Sequence, residues 1–367
     1  MIKPALKTRQ ICLFFIAFTP AIKFFMMPSV IADVAARDEW ICCAINVLLD
    51  FFTLAVTVTA CRRSRTDFFG LCESSFGKVG SKIIYAFYAA YLLMKAYVPI
   101  SEQRDYVELT LYVTLPSVLN FMPFMLLAFY FAQKKLRIIG RISDVVWLLA
   151  VSAYVLMFTI ALPSVNFEML LPIGTTPAGR IAKGTFYSLN WFGDAAYFLF
   201  FIGNYEHKKG DTAKILVSYL IAAISVLVFV IIFYGSFSSI AFRQRYALTE
   251  MSKYSTVINN MGRFDYFAIF FLLLSAALSA AMPLYFASRL LNRIVPIRKK
   301  HLVSAIMFAV YTAALIGLKE YKASTEEFMK SFGGYVFVFF GNVFPLVVSA
   351  LSVKELKRKE LKLNEIR

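Results

Sequence analysis

An all-α membrane protein with ten spanning helices, arranged as two inverted five-helix halves, is the architecture this sequence predicts. Three observations predict it: an apolar excess too large for one core, ten segments long enough to cross a bilayer, and a lopsided spread of basic residues over alternate connections. Of the 367 residues, 60% are hydrophobic and 17% charged, so lipid has to solvate most of the chain. The net charge of +17 would suggest nucleic acid in a soluble protein. Here the basic residues cluster in short segments between apolar runs, which is a membrane pattern and makes nucleic-acid binding improbable.

A spanning helix needs about 20 mostly apolar residues, because its backbone must satisfy itself across about 30 Å of hydrocarbon. Ten segments qualify: Arg9 to Ala32, Trp40 to Ala60, Ile83 to Ser101, Ser117 to Ala132, Ile142 to Leu162, Ile181 to Gly203, Ala213 to Tyr234, Phe264 to Leu290, Leu302 to Leu318 and Gly334 to Val353. The chain opens directly onto the first of these without a small-residue cleavage site, so that segment reads as a retained span. Twenty-six lysines and arginines fall at the two termini and in every second connection, ten fall in the alternate connections, and Lys23, Lys95 and Lys183 lie inside spans. Cytoplasmic loops are the basic ones, so both termini are expected inside and the tail from 354 to 367 in the cytoplasm.

Five spans per half make the second half (181–353) enter the membrane upside down relative to the first (9–162) within one permease domain. Interrupted segments at matching positions then point to a transport or sensing site, and spans one and six are both interrupted. Span one carries Thr19, Pro20, Ala21, Lys23 and Pro28; span six carries Ser188, Asn190, Trp191, Gly193 and Asp194. A broken span frees amides on one half-helix, which face an anion, and carbonyls on the other, which face a cation, so such a centre can hold both ends of a zwitterion. Lys23 near mid-membrane either takes a cation position or snorkels along the helix. Asp194 could hold a substrate ammonium, carry a proton or neutralise a lysine.

On span three, Tyr91 and Lys95 share a face, with Tyr97 nearby, and Lys95 is a candidate partner for Asp194, Asp50 or Asp144. Asn46 and Asp50 share a face of span two, and Asp50 and Asp144 read as ion-pair members before any proton path is invoked. Ser275 and Ser279, one turn apart on span eight, either pack closely or line the pocket. The candidate substrate-binding set is Thr19, Ala21, Lys23, Tyr91, Tyr97, Ser188, Asn190, Trp191, Gly193, Asp194 and Ser279. Candidates for ion pairing or a proton path are Lys23, Lys95, Asp50, Asp144 and Asp194. The connections Gly235 to Arg263 and Lys319 to Gly333 are amphipathic enough to form short helices over an outer vestibule. Cys12, Cys42, Cys43, Cys61 and Cys72 show no CxxC spacing, and there are two histidines, so no metal cluster is expected. Phosphate-loop, dinucleotide and HExxH zinc motifs are missing, so neither a cofactor nor enzymatic chemistry is expected.

Taken in order, several short motifs resemble the endospore germination permease family, the membrane B subunit of germinant receptors within the amino acid-polyamine-organocation superfamily. The basic lead Lys7-Thr8-Arg9-Gln10-Ile11 enters span one, Met27-Pro28-Ser29 leaves it, and Arg37-Asp38-Glu39-Trp40 forms an acidic turn. Leu162-Pro163, Leu170-Leu171-Pro172, Ser188 to Asp194 and Arg263-Phe264-Asp265 follow at the family's spacing. The resemblance implies a leucine-transporter-like fold. It implies recognition of a free amino acid or similar small germinant between spans one, three, six and eight. It also implies an A subunit and a lipoprotein C subunit as partners in the bacterial cell membrane or spore inner membrane. Lys23 stands where the family usually has glycines in the span-one break. Two other readings stay open: a proton-coupled amino acid transporter, and a scaffold subunit whose pocket is vestigial.

Overall fold

The computed structural model describes residues 5–62, 64, 66–108, 116–254, 265–295 and 300–365. Apart from one backbone bridge between Leu6 and Tyr205, the described residues form helices and turns.

Span one is two helices. α1 (Thr8–Ala21) contains Pro20, whose missing amide and ring weaken the last turn. A single 3-10 turn, Ile22–Phe24, follows, and α2 (Met27–Ala35) restarts with Pro28 in its first turn, where a missing amide costs nothing. Ala36, at φ 48 and ψ −130, turns the chain through another 3-10 turn into α3 (Glu39–Cys61). The Asp38 carboxylate accepts from the Gly174 and Thr176 amides at 2.8 and 2.9 Å, fastening the connection that leads into span six.

α4 (Phe68–Tyr106) is 39 residues long and bends at Gly77, so the expected third span from Ile83 to Ser101 is only its interior. α5 (Ser117–Ala132) has the expected bounds, and α6 (Leu136–Ala161) ends within one residue of the expected Leu162 but starts six residues before the expected Ile142. Span six is more broken than span one: α7 (Ala178–Tyr187), a 3-10 turn at Leu189–Trp191, then α8 (Ala195–Phe198), only four residues, and a last 3-10 turn. α9 (Asp211–Phe237) precedes α10 (Ala247–Tyr254), a short helix in the first amphipathic connection. α11 (Asp265–Ile294) and α12 (Lys300–Gly317) are spans eight and nine. α13 (Lys322–Lys330), the second short helix expected over a vestibule, is bent 108° from the preceding helix. α14 (Phe332–Val338) runs through a π-helical turn, Phe339–Val343, into α15 (Phe344–Glu365), so helix continues through most of the expected tail. Arg263, Phe264 and the side chain of Ser275 lie outside the described residues.

Five of the described helices are long and apolar enough to cross a membrane, and the bent pair α12–α13 makes a sixth. α1 is buried among α6, α9 and α11, and α11 packs along α4 and α5. Mid-helix side chains such as Leu48, Phe87 and Val310 stay more than 60% exposed. In water such a band would be an interaction surface; on a chain of this composition it faces lipid.

Candidate functional site

Each helix break strands backbone groups that lipid cannot satisfy, and four ionisable side chains serve the two breaks. In span one, the Lys23 ammonium donates to the Thr19 carbonyl and to Asp194 Oδ2, both at 2.7 Å. In span six, Lys95 donates to the Phe192 carbonyl, which Gly193, at φ 87, leaves outside any helix. Asp50 closes the other end: its carboxylate accepts from the Gly193 amide at 2.8 and 3.0 Å and from the Asp194 amide at 3.1 Å. Lys23, Asp50, Lys95 and Asp194 are all at most 4% exposed, and their formal charges cancel. The freed carbonyls thus carry the protein's own cations and the freed amides its own carboxylate. These are the positions that the two ends of a zwitterion, or a coupling cation, would take.

Glycine is required at the crossing. A Cβ on Gly193 would sit 3.1 Å from the Tyr91 hydroxyl and 3.2 Å from the Cα of Gly341. The π-helical turn in span ten supplies that close approach and aims the Asn342 side chain at the Thr53 hydroxyl, 3.1 Å away. Tyr91 is stacked between Tyr88 and Phe340, and its buried hydroxyl has no hydrogen-bond partner among the described residues.

The predicted substrate residues separate into two chambers and a scaffold. Thr19, Asp194 and Ser279 line a central chamber with Phe14, Phe18, Ile22, Tyr197 and Met282; it measures about 10 Å3, room for about one water and too little for an amino acid. Ser279 donates to the Phe18 carbonyl at 3.4 Å. Tyr97, Asn190 and Trp191 instead line a second chamber of about 50 Å3 with Glu102. Ala21 and Ser188 are buried and line neither. Ser188 returns its hydroxyl to the Gly184 carbonyl and accepts from Asn46 at 2.9 Å, which ties α3 to the last turn of α7.

Three expected pairings change. Asp50, expected in an ion pair, has no lysine or arginine within 4 Å among the described residues and accepts from backbone amides instead. Lys95 has no carboxylate within 4 Å among the described residues, because Lys23 takes Asp194 and the Phe192 carbonyl turns toward α4. Asp144 is an ion-pair member, but with Arg9 at 2.9 Å, and Gln10 also donates to it at 2.8 Å. The Arg9 side chain is 70% exposed, so this is an interfacial contact, remote from the buried four.

Glu102 was hidden by ending span three at Ser101. It is 4% exposed, accepts from the Trp191 indole at 2.7 Å and lies against the Met26 amide at the start of α2. Span one's second half therefore meets a carboxylate as span six's second half meets Asp50. The signal was present in the spacing: Glu102 follows Lys95 by seven residues and shares its helix face.

On the side bearing most of the basic residues, a cavity of about 710 Å3 is lined by Lys134, Lys135, Arg289 and Arg293 among others. Its floor includes Phe200 and Phe286, stacked at 4.1 Å, and Tyr197 bridges from Phe286 to the central chamber.

The sequence profile of the family described as spore germination protein, a spore permease family, matches residues 5–322. No curated protein sequence matched the chain. Among solved structures, a histidine-to-alanine mutant of the Eremococcus coleocola manganese transporter aligns with a TM-score of 0.55 at 10% identity, covering 94% of this chain and 77% of that one. The same transporter in complex with an aromatic bis-isothiourea substituted compound aligns with a TM-score of 0.53 at 11% identity, covering 94% and 76%. At such identities the likeness concerns the fold, and it agrees with the broken-helix, leucine-transporter-like architecture.

Proposed function

Because the chain belongs to the spore germination permease family, we propose that it is a germinant receptor subunit whose ligand is an amino acid or a similar small molecule recognised at the broken-helix centre. The observation that carries this reading is the self-satisfied pair of breaks. An ammonium entering the central chamber competes with Lys23 for Asp194 and for the Thr19 carbonyl, and a carboxylate competes with Asp50 for the Gly193 and Asp194 amides. Binding therefore requires these contacts to exchange, and the exchange moves the halves of spans one and six against each other. A site that stays closed and neutral without ligand, and rearranges with it, is a sensor's site. The cation-accepting carbonyls already hold lysines, which argues against sodium coupling.

In this reading both termini are cytoplasmic, and the rearrangement passes to A and C subunits beside the chain in the bacterial cell membrane or spore inner membrane. Thermal stabilisation of the purified full chain by a panel of amino acids and nucleosides tests it. A ligand that stabilises the wild type should fail with Lys23→Ala and Asp194→Asn while both variants stay folded. Accumulation of that ligand against a gradient in proteoliposomes would replace the receptor reading with proton-coupled transport. The transporter-like fold is what keeps that second reading alive. A ligand that stabilises both variants like the wild type would refute the central site.

A further inference from the structure

We infer that the chamber at Glu102 is a docking site for the head group of a zwitterionic amino acid with an apolar side chain, distinct from the central chamber. The inference rests on the reading of the chain as a small-molecule receptor, and it places first contact at residues outside the central four.

Charge inventory singles the chamber out. Of its three acidic side chains, Asp105 is held by Arg104 at 3.1 Å and by Lys322, and Glu326 is held by Arg245 at 2.9 Å. Glu102 has no lysine, arginine or histidine within 4 Å among the described residues, although it is buried. The Trp191 indole and the Met26 amide take up part of its acceptor capacity, and with about four lone-pair sites a carboxylate still has room for an ammonium. The Asn190 side-chain oxygen in the same wall is buried with no hydrogen-bond partner among the described residues. Lys330, half-buried in that wall, has no carboxylate within 4 Å among the described residues. The chamber thus presents a buried carboxyl group without a cationic partner and an orphaned acceptor, with the half-exposed Lys330 ammonium at its edge, 6.0 Å from the Tyr187 ring. Buried polar groups are left this way rarely and at a cost. A zwitterion supplies the missing partner to each: its ammonium to Glu102 and Asn190, its carboxylate to Lys330.

Size agrees. One water needs on the order of 10–15 Å3 of such space, so the chamber of about 50 Å3 holds about three to five small groups. An amino-acid head has that many heavy atoms: nitrogen, α-carbon and carboxylate. Tyr97 and Met329 are shared with an apolar cavity of about 380 Å3, which receives the side chain. The chamber lies beside α13, on the side with few basic residues, and Asn190 and Trp191 in its wall run directly into the Gly193 break. A ligand docked there sits one turn from the contacts it must exchange.

The test is binding of leucine, leucinamide and 4-methylvalerate to the full chain in lipid nanodiscs, in the wild type and in Glu102→Gln, Lys330→Gln and Asp194→Asn. Glutamine keeps the acceptor for Trp191, so the first variant folds. Lys330 is half-exposed, so the second provides an independent check. Losing a charge-assisted hydrogen bond weakens binding at least about tenfold. Leucine should weaken by that factor in both Glu102→Gln and Lys330→Gln. Leucinamide, which lacks the carboxylate, should bind wild type and Lys330→Gln equally, a discrimination that general destabilisation would not produce. The wild type should bind 4-methylvalerate, which lacks the ammonium, at least about tenfold more weakly than leucine. Leucine binding within twofold of wild type in either Glu102→Gln or Lys330→Gln overturns the docking site. Sensitivity of Asp194→Asn in that case leaves the central reading standing. Binding of none of the three compounds to the wild type overturns the docking site, and the wider amino acid and nucleoside panel then decides the receptor reading separately.

Discussion

Replacing Lys23 by methionine removes the ammonium and keeps most of the side chain's volume. It leaves Asp194, 4% exposed, without its 2.7 Å partner, and the four-residue cluster with one uncompensated negative charge. At that separation and an effective dielectric of about 20, the lost attraction is about 6 kcal/mol. Part of it only offset the cost of burying the lysine, so the net loss expected for breaking a buried pair is about 3–5 kcal/mol. The Thr19 carbonyl also loses its donor, which places the value toward the upper end. Lys23→Met with Asp194→Leu removes both charges and should recover about 2–3 kcal/mol of that loss, a coupling typical of side chains in direct contact. Reversible unfolding in mixed micelles, followed by tryptophan fluorescence, gives the four free energies of the cycle. A single variant within about 0.5 kcal/mol of wild type, or a double variant no more stable than the single, would refute the paired centre.

Other consequences follow from the same contacts. Asp144→Asn breaks an ion pair whose arginine is 70% exposed, so its cost by the same unfolding assay should stay within about 1 kcal/mol. Gly193→Ala forces a Cβ to 3.1–3.2 Å from Tyr91 and Gly341 at a φ of 87; a loss of about 1–3 kcal/mol is expected, with ligand stabilisation abolished before the fold is lost. Ala36→Gly relieves a φ of 48 at the turn from α2 to α3 and should raise stability by about 0.5–1 kcal/mol; a lowered unfolding free energy would show that the turn is unstrained.

Much of the fold was legible because its signals are local. Apolar runs of bilayer length, Pro20 and Pro28 in span one, and Gly193 in span six act through their own backbone neighbours. The structure has its breaks there. The depth of Lys23, Lys95, Asp50 and Asp194 was legible too, since an ionisable residue inside an apolar run must be buried or paired. Element ends were less legible. Glu102 fell one residue outside the span expected to end at Ser101, whereas α4 continues to Tyr106 with that acid turned inward.

Composition, periodicity and the placing of prolines, glycines and basic residues determined by themselves that this chain is a helical membrane protein with two interrupted spans and charges at their centre. Only the tertiary structure decided which charge meets which. Lys23 and Asp194 are 171 positions apart and Asp50 and Gly193 are 143 apart, and helix periodicity carries no information over such separations. Three carboxylates were available to two lysines, and the choice fell to the direction of two backbone carbonyls and to a glycine crossing of about 3 Å. The same packing divided one expected pocket into a closed neutral centre and a chamber with unpaired charge, because a buried ion's partner is set by reach and geometry, which only the assembled helices define.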